Sequence, residues 1–230
     1  MPEIVQDLIS VNNFMVGRKG WTPDRIGIHV TEGSEAATES WFDNESSDVS
    51  SHFIVSKVGG IKQEVSLKDT AWTQGRKSNP TAKIVLARQN VNPNYYFISI
   101  EHEGNGLEDL TDVQRNASAW LINFIRQQYP KIQLDRDYII GHHEIYDKKT
   151  CPGKINIDKL IAVAKQLEAS EKTMARPKIV WSDYFKDYLI VVKVISNEEW
   201  YFVPFKQLMI KESLKAQTPL SEMKDEPING

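Results

Sequence analysis

The stretch YYFISIEHEGNGLEDLTDVQRNASAWLINFIRQQYP, residues 95–130, carries two different periodicities. Its first third is β-branched and aromatic and reads as one strand ending near Glu101, followed by a Gly-rich loop. From Thr111 the pattern changes. Val113, Ala117, Trp120, Leu121, Phe124 and Ile125 fall on one helical face, Thr111 and Gln114 have capping-box spacing, and Pro130 closes the helix. A strand that feeds a loop and then an amphipathic helix is the building unit of a layered α/β domain.

The neighbouring segments extend that reading. RIGIHVTEG (25–33) predicts a short buried strand over Ile26–Val30, and ESWFDN (39–44) a turn of helix. SSHFIVSKVGGIKQEVSL (50–67) predicts two strands about Gly59-Gly60. YIIGHHEI (138–145) is a last strand broken at Gly141, and NIDKLIAVAKQLEAS (156–170) a second amphipathic helix. Residues 1–172 therefore read as one α/β domain. EKTMARPK is a polar, proline-bearing linker. The aromatic and β-branched run IVWSDYFKDYLIVVKVISNEEWYFVPF, with a turn at Ser196-Asn197, makes residues 173–230 a small, mainly-β module with a polar, frayed tail.

Composition removes several function classes. A chain of 230 residues, 40% hydrophobic, can bury one good core and support a small extra module. The net charge of -3 supplies no basic field for nucleic acid. No apolar run approaches the length of a membrane span, so no membrane insertion is expected. MPEIVQDLIS has neither a basic n-region nor a long apolar h-region, so no signal peptide is expected. A single cysteine cannot form an intramolecular disulfide.

The chemistry-bearing residues concentrate in GHHEIYDKKTCPG (141–153) and at two strand ends. Zinc takes imidazole nitrogen and thiolate, and a catalytic site uses three protein ligands with a position left for water. His142 and Cys151 lie nine residues apart across a Pro- and Gly-bearing loop, and His29 closes a buried strand where a polar side chain needs a reason. Each has an ordinary reading alone, His29 as a bonded core histidine and Cys151 as a small buried hydrophobe. The three together favour a metal. A cysteine nucleophile with His142 or His143 as its base is a rival, weakened because no helix N-terminus follows Cys151 closely. Glu101 ends the otherwise apolar FISIE, where a carboxylate is costly unless functional or paired. Beside a metal it would act as a general base. His102 faces the other side of that strand. Lys149 could stabilise an oxyanion. His52, at a strand start, is a substrate contact or a polar edge residue. The histidine spacing excludes the H-E-x-x-H zinc proteases.

Five segments, GRKGWTPDRIGIHVTEGS, SSHFIV, DTAWTQG, ISIEHEGNG and GHHEIYDKKTCPG, in this order and spacing over residues 8–168, resemble the zinc-dependent N-acetylmuramoyl-L-alanine amidases. This amidase-2 family includes phage endolysins and bacterial autolysins, with peptidoglycan recognition proteins as relatives. The resemblance implies an α/β fold with a central mixed β-sheet flanked by helices. It implies a Zn²⁺ ion held by His29, His142 and Cys151, with Glu101 as catalytic acid and base and Lys149 aiding the tetrahedral intermediate. His143 matches a variable position, and Glu144 a usual acid beside the ligands. His52 and Trp72 would line a groove for glycan and stem peptide. Thr73 stands where the family often has histidine. The implied partner is cell-wall peptidoglycan, cut between N-acetylmuramic acid and L-alanine. For an endolysin type the resemblance implies synthesis in the host cytoplasm and action on the wall after release. The C-terminal module would target the wall or dimerise. A non-catalytic recognition protein is the alternative, disfavoured because the Cys ligand typically lost in such relatives is present here as Cys151.

Overall fold

Alternation along two central strands assigns the faces of the main sheet. In Arg25–Val30, the side chains of Ile26, Ile28 and Val30 join one core cluster, while Gly27 and His29 point the other way. In Phe97–His102, Ile98 and Ile100 join that same cluster, and Ser99 and Glu101 share the opposite face. Both strands are buried on both sides, as parallel strands covered by helices must be.

The computed structural model describes residues 2–10, 12–75, 77–174, 178–182, 187–194 and 200–204. Its elements are β1 (Ile4–Gln6), β2 (Phe14–Met15), β3 (Arg25–Val30), α1 (Glu35–Phe42), β4 (Phe53–Val55), β5 (Ile61–Gln63), β6 (Thr70–Ala71), α2 (Lys83–Ala87), β7 (Phe97–His102), α3 (Asp112–Gln128), β8 (Ile139–Gly141), α4 (Ile157–Met174), β9 (Lys178–Ser182), β10 (Asp187–Val194) and β11 (Trp200–Pro204). The principal sheet has the order β1-β5-β4-β7-β3-β8. It is mixed: β3 pairs in parallel with β7 and β8, β4 in parallel with β7, and β4 antiparallel with β5. The expected strand pair about Gly59-Gly60 is β4–β5, and β2 and β6 form a separate two-stranded ribbon.

Leu121, Ile122 and Ile125 of α3 and Leu160, Ile161 and Ala164 of α4 pack into the cluster built on Ile26, Ile28, Ile98 and Ile100. Burying each such side chain contributes roughly 1.5–3 kcal/mol. On the opposite face, Ile54 of β4 packs with Phe42 of α1 and Val65. Among the described residues, helices thus cover the sheet on both faces, α3 and α4 on one and the shorter α1 on the other.

Two details of α3 differ from expectation. Thr111 caps the helix by accepting from Gln114 N at 3.1 Å, but the Gln114 side chain does not return to the cap. It donates instead to the carbonyls of Val55 and Glu103, both at 3.0 Å, stitching the helix start to the sheet. Val113 is exposed, because the buried stripe runs through Gln114, Ala117, Ser118, Leu121, Ile122 and Ile125, one position round from the expected face.

The chain divides into two units, Met1–Leu167 and Glu168–Gly230. The second holds a three-stranded antiparallel sheet in the order β11-β10-β9, with a register shift between Val191 and Lys193. α4 runs on through Met174, so EKTMARPK begins as helix rather than linker. The turn at Ser196-Asn197 and the polar tail lie outside the described residues.

Gly153 joins the last site loop to the rest of the first unit. Its φ is +66°, and a Cβ built there would lie 2.2 Å from the Gly106 carbonyl oxygen. Gly153→Ala is expected to destabilise the protein by about 2 kcal/mol or more, from left-handed strain plus the clash. Denaturant unfolding checks this, and an unchanged midpoint would contradict the close approach of the two loops.

Candidate metal centre

Strand register brings the first two functional groups together. β3 and β7 pair with His29 directly opposite Glu101, on the same face. β3 and β8 pair with Ile28 opposite Gly141. The chain leaves β8 at Gly141 into a single 3₁₀ turn over His142–Glu144, and His142 swings back over the end of β3. The His29 and His142 ring centroids are 4.6 Å apart. Glu144 fixes the turn: its carboxylate accepts from Gly141 N at 2.7 Å and from Arg136 at 2.5 Å.

The returning loop supplies the third group. Cys151 Sγ lies 3.8 Å from His29 Nδ1 and accepts from Val30 N at 3.3 Å. The His29, His142 and Cys151 donor atoms all lie within 4.8 Å of one another, and all three residues are buried. A tetrahedral zinc with the usual bond lengths separates a nitrogen and a sulfur ligand by about 3.6 Å, close to the spacing here. The donor set, two imidazoles and one thiol, is also zinc's own. These residues fit a zinc ion.

His143 stays out of the cluster. It is exposed, its backbone N–H donates to the Cys151 carbonyl at 2.8 Å, and its Nδ1 lies 3.2 Å from that same oxygen. His102, on the far face of β7, bonds the His29 carbonyl through Nδ1 at 2.9 Å and Ser118 Oγ through Nε2 at 2.7 Å. It ties the sheet to α3.

Burial holds the site's imidazoles neutral. The His29 pKa falls well below its ordinary range through desolvation, with His142 adding to the fall, and burial brings His142 down to about 4. Neutral rings are the form that binds metal. Burial pushes the Cys151 thiol far up, and the carboxylate of Glu101 pushes it the same way. A thiol so placed resists ionising without a cation beside it, which works against the cysteine-nucleophile alternative. Glu101 rises to about 8, first through burial and then through the negative charge of Glu32, while Lys149 opposes the rise. Glu101 Oε1 is 4.0 Å from His29 Nδ1, and Oε2 is buried with no hydrogen-bond partner.

These residues open into a cavity of about 410 Å³. Lys149 and Trp72 line it, as do Glu32, Thr73 and the α1 residue Trp41. His52 does not, contrary to its expected place in the groove. It is fully buried: Ser99 N donates to its Nδ1 at 3.1 Å, while its Nε2 faces the Asp69 carbonyl at 3.2 Å and the Arg18 guanidinium at 2.6 Å. The resemblance implied a groove position for His52, but the segments holding Arg18 and Asp69 cover it. Sequence reading also passed over Glu32, Trp41 and Gln74. Glu32 carries a signal only in its backbone, a φ of +57° unusual for a non-glycine residue.

A buried cluster of two histidines and a cysteine that could hold a metal ion, with a carboxyl group alongside, sits at the end of the mixed sheet of this α/β domain. Residues 19–154 match the N-acetylmuramoyl-L-alanine amidase family, more than half of the chain, and the chain belongs to that family. It is 36% identical over 107 residues to the 1,6-anhydro-N-acetylmuramyl-L-alanine amidase AmpD of Haemophilus influenzae, covering 46% of this chain and 53% of that protein. It is 37% identical over 101 residues to N-acetylmuramoyl-L-alanine amidase A of Achromobacter lyticus, covering 43% and 48%. The matched part thus spans about half the length of these curated relatives. Among solved structures, a mutant endolysin from Bacillus subtilis superposes with a TM-score of 0.54 at 24% identity, covering 71% of this chain and 99% of that one. An AmpD structure superposes with the same TM-score at 19% identity, covering 71% and 95%. These two share the fold.

The geometry separates the two adjacent histidines. His142→Ala is expected to abolish stoichiometric zinc retention after dialysis, whereas His143→Ala keeps it. Elemental analysis of the two purified variants reads the difference, and equal loss in both would contradict the assignment.

Proposed function

We propose that this protein is a zinc-dependent N-acetylmuramoyl-L-alanine amidase acting as an endolysin, which cleaves the amide between N-acetylmuramic acid and L-alanine in the bacterial wall. The observation that carries the reading is the buried His29–His142–Cys151 cluster with Glu101 beside it in one cavity. Family membership and the likeness to amidases and an endolysin support it.

His29, His142 and Cys151 would hold the zinc, which when bound supplies Lewis-acid polarisation of an oxygen and keeps the thiol ionised. The other residues account for positioning and proton movement. Burial raises Glu101 to about 8 in the metal-free site, and a cation held among the three donors would draw it back down, toward the range in which it can both take up and give back a proton. It accepts a proton from the attacking water and delivers one to the departing amine nitrogen, so that the C–N bond breaks with a neutral amine leaving. Lys149, on the cavity wall, places a cation where negative charge grows on the scissile carbonyl oxygen. Trp72 and Trp41 offer flat apolar faces to the sugar and the peptide. The non-catalytic recognition alternative finds less support, because such a module needs neither the complete ligand set nor a carboxyl group poised beside it.

Glu101→Gln keeps the shape of the side chain and removes its proton chemistry. It is expected to retain one zinc per chain and to lose about 10²-fold or more of the release of new L-alanine amino termini from purified walls, in line with the usual worth of a general acid–base group. Wild-type activity in this variant would remove Glu101 from its role. No release by the zinc-loaded wild type would overturn the enzyme reading, and release surviving complete zinc removal would overturn the metal mechanism. Comparing intact walls with soluble anhydro-muropeptides tests the endolysin role, which predicts turnover of the polymer.

A further inference from the structure

His29 and His142 can offer a nitrogen lone pair to the metal only if the other ring nitrogen carries the proton. The ligand nitrogen of His29 is Nδ1, which faces Cys151 Sγ at 3.8 Å and Glu101 Oε1 at 4.0 Å. Its Nε2 must then be N–H, and a buried N–H needs an acceptor. His29 Nε2 is buried and makes no hydrogen bond of regular geometry among the described residues, and the same holds for Gln74 Oε1. These two unpartnered atoms belong to side chains that stand beside each other. The Gln74 side chain lies within reach of the His29 ring, and its pull opposes the burial that lowers the imidazole's basicity. Both side chains stand over Gly27, where a Cβ would be 2.5 Å from Gln74 Nε2 and 3.0 Å from His29 Nε2.

The same residue serves the second histidine. His142 Nε2 donates to the Gln74 backbone carbonyl at 3.2 Å, which leaves its Nδ1 as the free lone pair. Gln74 is itself held by two hydrogen bonds. Its N–H donates to Asn94 Oδ1 at 2.8 Å, its amide nitrogen donates to Ser99 Oγ at 2.9 Å, and it is fully buried. Ser99 N in turn donates to His52 Nδ1, so the buried His52 and Arg18 form the outer end of this polar layer.

We propose that Gln74 is the positioning residue of the metal centre: its side-chain oxygen and its backbone oxygen hold the Nε2 protons of His29 and His142, so that both rings present Nδ1 to the metal. Outer partners of this kind orient ligand rings and typically change metal affinity 10- to 100-fold. The inference rests on the reading of His29 and His142 as ligands. It is specific to this chain's own loop, AWTQG, in which Gln74 follows Thr73.

The test uses the full chain, first without metal. Nitrogen-15 NMR of labelled histidines reads which ring nitrogen is protonated. In the wild type, both His29 and His142 are expected as the Nε2–H tautomer. Gln74→Met keeps the volume but loses the side-chain acceptor. In it, His29 is expected to shift toward the Nδ1–H tautomer, while His142, bonded to the backbone, keeps its own. Gln74→Glu retains an acceptor and is expected to retain the His29 tautomer. Chelator competition should show zinc bound about 10-fold more weakly by Gln74→Met than by wild type, with Gln74→Glu on the wild-type side. If Gln74→Met does not fold, Ser99→Ala, which frees the amide nitrogen, should move the His29 tautomer in the same direction. An unmoved His29 tautomer in the folded variants, or a moved tautomer with unchanged zinc affinity, would overturn the proposal. A wild type that binds no zinc would instead overturn the metal reading of the site, and the metal-free tautomer keeps the two failures apart.

Discussion

The site depends on the pairing of three parallel strands. β3 lies between β7 and β8, and its register sets His29 against Glu101 and Ile28 against Gly141. A slip of one residue in either ladder would turn one of these groups to the other face, toward α3 and α4, where Ile26, Ile28, Ile98 and Ile100 belong. The hydrophobic alternation that buries the core therefore also fixes the relative positions of His29 and Glu101. His102 reinforces this from below by bonding the His29 carbonyl and Ser118 of α3.

The remaining groups arrive on loops whose paths are constrained one contact at a time. Glu144 pins the turn that delivers His142. Val30 N–H and the Gly153–Gly106 approach place Cys151. Dielectric then sets the chemistry. Burial keeps both imidazoles uncharged, the thiol protonated in the absence of a cation, and the Glu101 carboxyl near neutrality in its affinity for protons. Each is a cost the fold bears, and a divalent cation among the three donors would offset one of them, the ionisation of a buried thiol.

Much of this was legible in the sequence, for reasons that differ between residues. His29 and Glu101 stood out because a charged or titratable group at the end of a short, largely apolar strand contradicts its surroundings, and His142 and Cys151 because a Gly–Pro–Gly framed loop concentrated ligand types. The layered α/β character followed from the change of period at Thr111. What stayed hidden depends on contacts between distant segments. His52 was expected in the groove from its strand-start position and the family resemblance, neither of which reports that Arg18 and Asp69 cover it. The exposed Val113 and the inward Gln114 differ from the expected helical stripe because the Gln114 amide reaches inward to donate to the carbonyls of Val55 and Glu103. Gln74 sits in a loop with no periodicity, so nothing local marked it, and its role rests on Gly27, Asn94 and Ser99 meeting it from other segments.

In the function proposed here, two histidines and one cysteine of the first unit would form a single zinc site. X-ray absorption at the zinc edge of the reconstituted full chain measures this directly. The account predicts one sulfur at about 2.3 Å and two imidazole nitrogens at about 2.0 Å, with the sulfur contribution lost in Cys151→Ser. A zinc shell containing only oxygen and nitrogen in the wild type, or a sulfur that persists in Cys151→Ser, would contradict it.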